Sequence, residues 1–197
     1  TAHLLCNIFL ECIVAPSFDK AAQEILGTKK NLRLLQLNKE ILDSEKKIMY
    51  KSIMGGVLVQ DKDNKNYNSE EWKIVTKSIP NEEEMEDLKF SWKICKHVKS
   101  NAIVIAKEKT TLAIGAGQMN RVGAAKIALE ASKDLCKGGV LASDGFFPFA
   151  DTVELAGKYG IKAIVQPGGS LRDKESIEMC NKKNISMIFT NKRHFLH

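Results

Sequence analysis

The nine residues Ser143-Asp144-Gly145-Phe146-Phe147-Pro148-Phe149-Ala150-Asp151 can be written into neither a regular helix nor an alternating strand. Pro148 fixes its own φ and drives Phe147 out of the α region. Three phenylalanines therefore sit on a rigid turn with an aspartate towards each end. Such a turn suits the wall of a site for a flat heterocyclic ligand, and taken alone it suits a cap on a hydrophobic core better. A short strand, Val140 to Ala142, leads into it, and a helix, Asp151 to Tyr159, leaves it.

Helices and strands alternate on both sides of this turn, the pattern of an α/β domain. After a helix end at Thr1 to Phe9 come a strand at Glu11 to Ala15, a helix at Asp19 to Leu26 and a strand at Leu32 to Leu37. Ile48 to Ile53 and Val57 to Gln60 flank Gly55-Gly56 and read as adjacent strands, followed by a polar turn, Asp61 to Asn66. Asn81 is the expected N-cap of a long helix, with Glu82, Glu83 and Glu84 in the first turn, where carboxylates meet the dipole favourably. Met85, Leu88, Trp92 and Cys95 recur at helical spacing and read as core. Strands at Ser100 to Ala106 and Thr110 to Ile114 precede a second long helix, Met119 to Cys136. Strand, helix and strand then follow at Ile161 to Val165, Asp173 to Asn181 and Ile185 to Phe189. Neither an internal repeat nor a clear interdomain linker is legible, and the length fits one domain or a large part of one.

An apolar fraction of 44% is ordinary for a core-forming chain. The sequence holds no apolar run of bilayer length and no signal-peptide pattern, so a cytoplasmic location is expected and membrane association is not. A start without Met, in the middle of an apolar pattern, suggests a fragment. The net charge of +6 is spread along the chain in short lysine pairs. Without a basic block interleaved with aromatics, nucleic-acid binding is not expected, and an anionic small molecule fits the charge as well. The five cysteines include no CxxC, which argues for a reducing compartment and against a disulfide framework or a zinc site.

Four loops carry unusual residues where strands end or begin, the places at which open α/β sheets bind ligands. Asn101 can donate and accept together, though it reads first as a turn or cap residue. Gly115 to Arg121 is a glycine-containing turn into a helix, where backbone can approach a ligand and anions are favoured. It lacks the third glycine of a dinucleotide fingerprint. Arg121 falls in the first helical turn, where a cation opposes the dipole, so its placement asks for a reason. Gln166 to Asp173 is a tight turn in which Ser170 and Asp173 resemble a capping box with Asp in place of Glu. The C-terminal segment Thr190 to His197 mixes cations with Phe195 and Leu196 and is expected to fold against the body. None of the four histidines lies in a Ser/His/Asp or Cys/His context, His97 reads as solvated, and the zinc deaminase pattern is absent.

Taken together, the loops resemble a family. SDGFFPFAD at Ser143 to Asp151, SNAIVIAK at Ser100 to Lys107, IGAGQMNR at Ile114 to Arg121, QPGGSLRD at Gln166 to Asp173 and RHFLH at Arg193 to His197 occur in its order. FLECIVAPSFD at Phe9 to Asp19 and GGVLVQD at Gly55 to Asp61 resemble it too, so the resemblance covers essentially the whole chain. The family is the AICAR transformylase domain of the bifunctional purine-biosynthesis enzymes (AICAR formyltransferase and IMP cyclohydrolase). The resemblance implies a three-layer α/β/α, cytidine-deaminase-like unit without zinc. Residues 1–197 would be the C-terminal part of the transformylase domain, with the cyclohydrolase domain and the first transformylase half outside them. The implied reaction moves a formyl group from 10-formyltetrahydrofolate to the 5-amine of AICAR, without a metal, in a homodimer.

Residue by residue, the resemblance implies AICAR-side roles for Glu11, Asn101, Arg121, Phe146, Arg193 and His197. It implies folate-side roles for Val122, Asp151, Ser170 and Leu171, with Asp151 accepting from pterin N–H groups and Phe195 packing the tail. The family's catalytic Lys-His pair has no counterpart in this sequence. Loss of acid–base help costs about 10²–10⁴-fold, so the chain by itself is expected to be inactive or nearly so. The rival from another class is a non-catalytic α/β ligand-binding or regulatory module. A third reading, basic RNA binding, would require a steep salt dependence.

Overall fold

Residues 103–106, 140–143 and 163–166 are buried at every position. Strands buried along their whole length need cover on both faces, which is the condition of a sheet inside an α/β layer structure. The computed structural model describes residues 1–38, 40, 48–63 and 69–196. The chain forms two compact units, Thr1–Asn64 and Lys65–His197, where the sequence reading expects one domain without a linker. The division falls inside the polar turn read at Asp61 to Asn66, whose residues 64–66 lie outside the described ones.

The first unit contains α1 (Ala2–Cys6), β1 (Cys12–Ala15), α2 (Lys20–Gly27) and β2 (Arg33–Gln36). It ends in a hairpin of β3 (Ile48–Ile53) and β4 (Gly56–Asp61). Strand β1 pairs parallel with β2, Cys12 opposite Arg33 through Ala15 opposite Gln36. Asp19 caps α2, its Oδ1 accepting from the Ala22 N–H at 2.6 Å. The β3/β4 hairpin turns at Gly55, whose φ of +79° is one that L side chains rarely adopt.

The second unit is a six-stranded mixed sheet with helices on both faces. Its elements are β5 (Lys73–Ile74), α3 (Glu82–Cys95), β6 (Ile103–Lys107), β7 (Thr110–Gly115), α4 (Arg121–Ser132), β8 (Val140–Ser143), α5 (Asp151–Lys158), β9 (Ala163–Gln166), α6 (Asp173–Lys183) and β10 (Ser186–Phe189). The strand order is β5-β10-β9-β8-β6-β7. Strands β8, β9 and β10 run parallel, while β6 is antiparallel to both β7 and β8. The two-residue β5 was not legible in the sequence and joins the edge antiparallel to β10.

Alternation along the strands divides the core in two. Val104, Ala106, Val140, Ala142, Ala163 and Val165 face α3, which answers with Leu88, Trp92 and Cys95. The expected stripe on this helix is therefore core, with Met85 at its margin. Ile103, Ile105, Leu141, Ile164 and Met187 face the other layer, built from Ala125, Ala128 and Leu129 of α4, Val153 and Ala156 of α5 and Cys180 of α6. Alanines on α4 let that helix lie close to the sheet. Gly115 permits the approach, since a Cβ there would collide with the Ala124 carbonyl. The structural need thus accounts for Gly115, which the sequence alone offered as a point of ligand approach.

One helix boundary and one cap differ from expectation. The helix expected at Met119 to Cys136 is α-helical from Arg121, capped by Asn120 through Oδ1 to the Gly123 N–H at 2.7 Å, and ends in a 3-10 turn, Lys133–Cys136. The capping box expected at Ser170 and Asp173 does not form: Arg172 is the N-cap of α6. Instead the Ser170 hydroxyl accepts from the Arg172 N–H at 3.2 Å, and Asp173 reaches back to the Gly169 N–H at 2.7 Å. Gly168 and Gly169, at φ +72° and +95°, carry the chain through a tight turn, and α6 begins at Asp173 as expected.

Candidate active site

Strand directions gather the four singled-out loops on one rim of the six-stranded sheet. Ile103, at the start of β6, lies opposite both Gly115, the end of β7, and Ser143, the end of β8. On the neighbouring strands Gln166, the end of β9, lies opposite Phe189, the end of β10. Asn101, the 116–120 loop, the aromatic turn, the 167–172 loop and the C-terminal segment all leave the sheet along this edge.

The aromatic turn is irregular, as its proline demands, and its three rings have different fates. Phe147 is fully buried and packs in the core beneath, so the core-cap reading holds for that ring. Phe146 is half-buried and Phe149 exposed, so these two rings are available above the core. The Arg193 guanidinium carbon lies 5.0 Å from the Phe146 ring centre, and that of Arg172 lies 4.7 Å from the Phe149 ring centre. Both distances are in cation–π range. A Cβ on Gly169 would find Arg193 Nη2 at 3.9 Å, so the same cation also borders the 167–172 loop.

Arg121 is the first residue of α4, and its charge against the helix dipole is answered inside the structure. Its Nη2 donates to Asp144 Oδ1 at 2.8 Å and its Nη1 donates to the Phe146 carbonyl at 3.1 Å. Asp144 is fully buried, and the Arg121 side chain is 11% exposed. Asp144 carries no singled-out role in the sequence reading. The available signal was the pairing problem posed by Arg121 together with an aspartate inside the aromatic segment. Arg121 Nε and Asp144 Oδ2 are both buried and have no hydrogen-bond partner in the structure. Asn101, which follows a cis Ser100–Asn101 peptide, donates through Nδ2 to the Gln118 carbonyl at 2.9 Å.

The C-terminal segment closes over this cluster. The His194 N–H donates to the Asp144 carbonyl at 3.0 Å, the Ser100 N–H to the Leu196 carbonyl at 2.9 Å, and the Leu196 N–H to Ser100 Oγ at 3.2 Å. The tail is folded against the body as expected, but its anchor differs. His194 is buried, with its ring centre 4.6 Å from that of Trp92, whereas Phe195 is 46% exposed. The imidazole packs tilted against the indole while the backbone bonds to Asp144, so the buried side chain is the polar one. His97 is exposed, in line with its reading.

On the folate-side loops, Asp151 opens α5 at an exposed position, and its Oδ1 accepts from the Thr152 N–H at 2.7 Å. Leu171 is fully exposed, Ser170 half-buried, and Val122 half-buried as the second residue of α4. Glu11 belongs to the first unit, where its carbonyl accepts from the Arg33 N–H at 3.0 Å. His197 lies outside the described residues.

All five cysteines are free, and Cys95, Cys136 and Cys180 are buried. Burial pushes the Cys95 thiol well above its ordinary range, with Asp144 adding to the rise and Arg121 opposing it. Among the described residues no group of three or more His, Cys, Asp or Glu side chains could hold a metal ion. None of their helices is long and apolar enough to cross a membrane.

Comparison with known proteins bears on the whole chain. A family model described as the AICARFT/IMPCHase bienzyme matches residues 1–131. The bifunctional purine biosynthesis protein PurH of Prochlorococcus marinus (strain MIT 9515) is 68% identical over 197 residues, covering 100% of this chain and 38% of that protein. The protein of the same name from strain NATL1A is 59% identical over 191 residues, covering 97% of this chain and 37% of that protein. The chain thus spans well under half the length of these curated relatives. Among solved structures, Acinetobacter baumannii RibD (form 1) aligns with a TM-score of 0.37 at 16% identity, covering 53% of this chain and 33% of that one.

Proposed function

The chain belongs to the AICARFT/IMPCHase bienzyme family, and from that membership we propose that it supplies part of both substrate pockets of a folate-dependent formyl transferase. In this reading the formyl carbon of 10-formyltetrahydrofolate leaves the folate nitrogen and bonds to the 5-amine of AICAR, the amine losing a proton and the folate nitrogen gaining one. The observation that carries the reading is the convergence of Asn101, Arg121, Phe146 and Arg193, four residues from four separate loops, on one rim. The Arg193 guanidinium there offers charge for an anionic ribotide, Arg121 is held against Asp144, a half-buried ring offers a flat face, and an amide offers a donor and an acceptor.

The folate side of the proposal rests on the neighbouring loops. Asp151 keeps one carboxylate oxygen clear of its Thr152 contact and can accept from ring N–H donors of a pterin. Leu171 and Phe149 present exposed apolar surface on these loops, and the Arg172–Phe149 contact ties the two loops. Arg193, over Phe146 and beside Gly169, would lie between the two pockets, where donor and acceptor must meet. Glu11 and His197 are proposed to complete the AICAR side, and Val122 and Ser170 the folate side.

The chain is read as the C-terminal part of the transformylase domain, a cytidine-deaminase-like unit without zinc, working in a cytoplasmic homodimer. Its general base is assigned to the family's Lys-His pair, which is not in this sequence. The test is Asp151→Ala in the full-length protein carrying this chain. KM for 10-formyltetrahydrofolate should rise by at least about tenfold, and that for AICAR by much less. Equal effects on the two would overturn the division of the rim.

A further inference from the structure

We infer that Asp144 is a positioning residue for the proposed ribotide pocket, setting both of its cations from one buried site. The inference rests on the reading of Arg121 and Arg193 as ribotide contacts. Its grounds are three bonds made by a single residue. The Asp144 carboxylate holds Arg121 at 2.8 Å. Its carbonyl receives the His194 N–H at 3.0 Å, which fixes the residue next to Arg193. Its own N–H is anchored to the Ala102 carbonyl at 3.3 Å, beside Asn101.

A guanidinium left to itself would swing among its rotamers and spread its charge over the helix end. Asp144 holds one end of the fork, and the Phe146 carbonyl holds the other. This leaves Nε buried and without a partner, and Asp144 Oδ2 likewise. A buried donor and a buried acceptor in one ion pair are costly unless a further group joins them. Gly145 gives the guanidinium its room, since a Cβ there would lie 2.9 Å from Arg121 Cζ.

The test is a double-mutant cycle in the full-length protein carrying this chain, with AICAR and a folate analogue as titrants in calorimetry. Asp144→Asn should raise the Kd for AICAR at least about tenfold while the Kd for the folate analogue stays within about twofold. In an Arg121→Ala background the same substitution should add almost nothing, because the carboxylate acts through that arginine while the carbonyl bonded to the His194 N–H is untouched by the substitution. A structural role alone would lower the melting temperature but would not give this non-additivity or spare the folate. If Arg121→Ala weakens AICAR binding and a folded Asp144→Asn does not, the inference falls and the ribotide reading survives. If Arg121→Ala leaves AICAR binding unchanged, the ribotide reading falls and takes the inference with it. Should Asp144→Asn fail to fold, Asp144→Glu decides. It keeps the charge and moves it by one methylene, and unchanged AICAR affinity would overturn the inference.

Discussion

Cys180 and Cys12 are the same side chain in two solvents. Cys180 is fully buried on α6 in the layer it shares with α4 and α5, and burial pushes its thiol up to about 12. Cys12 is exposed at the start of β1. The thiolate is the reactive form, and a pKa near 12 leaves roughly one molecule in ten thousand ionised at pH 8. Iodoacetamide at pH 8 should therefore label Cys12 first, leaving Cys95 and Cys180 unlabelled until denaturant is added. Mass spectrometry of the digested protein reads this directly, and early labelling of Cys180 would contradict the packing of α6. The same scale holds the logic of the rim. Arg121 is misplaced by the helix-dipole rule and is paired by Asp144, 23 residues further along the chain. The oddity of the arginine was legible in the sequence, but its partner was not, because nothing local specifies a contact that far away.

Elements declare their ends when the end is a local bargain. Asn81 Oδ1 accepts from the Glu84 N–H at 2.8 Å, and Glu84 Oε2 accepts from the Asn81 N–H at 3.0 Å, a complete capping box on α3. Helix α3 is the sole helix covering its face of the sheet among the described residues, so loosening its first turn disturbs the cover over β8 and β9. Asn81→Ala should cost about 1 kcal/mol, read as a lower urea midpoint at unchanged slope. An unchanged midpoint would mean that packing alone holds this end. The N-cap and the helical stripe were legible because both are written within one or two turns of sequence. Strand β5 was not, because two residues become a strand only through their pairing with β10. The capping box read at Ser170 failed for a related reason. Two glycines at positive φ put the chain on a course in which Asp173 satisfies Gly169 rather than a cap. Of the candidate site, Asn101, Arg121, Phe146 and Arg193 came from motif resemblance. Their meeting on one rim follows from strand directions that no single motif states.

On the scale of the whole molecule, the two units differ in how they are held. In the second, β6, β8 and β9 are buried on both faces between helical layers. In the first, Leu26 is the single fully buried apolar residue among the described ones, and every residue of β3 and β4 is exposed. An isolated two-stranded hairpin is marginal in water, whereas central strands of a covered sheet open only with the global unfolding of their unit. Native-state hydrogen exchange on the 197-residue chain should therefore separate the two. Amides of Ile103–Lys107, Val140–Ser143 and Ala163–Gln166 should exchange at least about a hundredfold more slowly than those of Ile48–Ile53 and Gly56–Asp61. Comparable protection would mean that the hairpin finds cover its own unit does not supply, by self-association for instance, and protection that rises with protein concentration would identify that cause. Slow exchange in the second unit with fast exchange in the first would mark the six-stranded sheet as the part able to hold the candidate rim in place. Asn101, Arg121, Phe146 and Arg193 would then owe their placement to Lys65–His197.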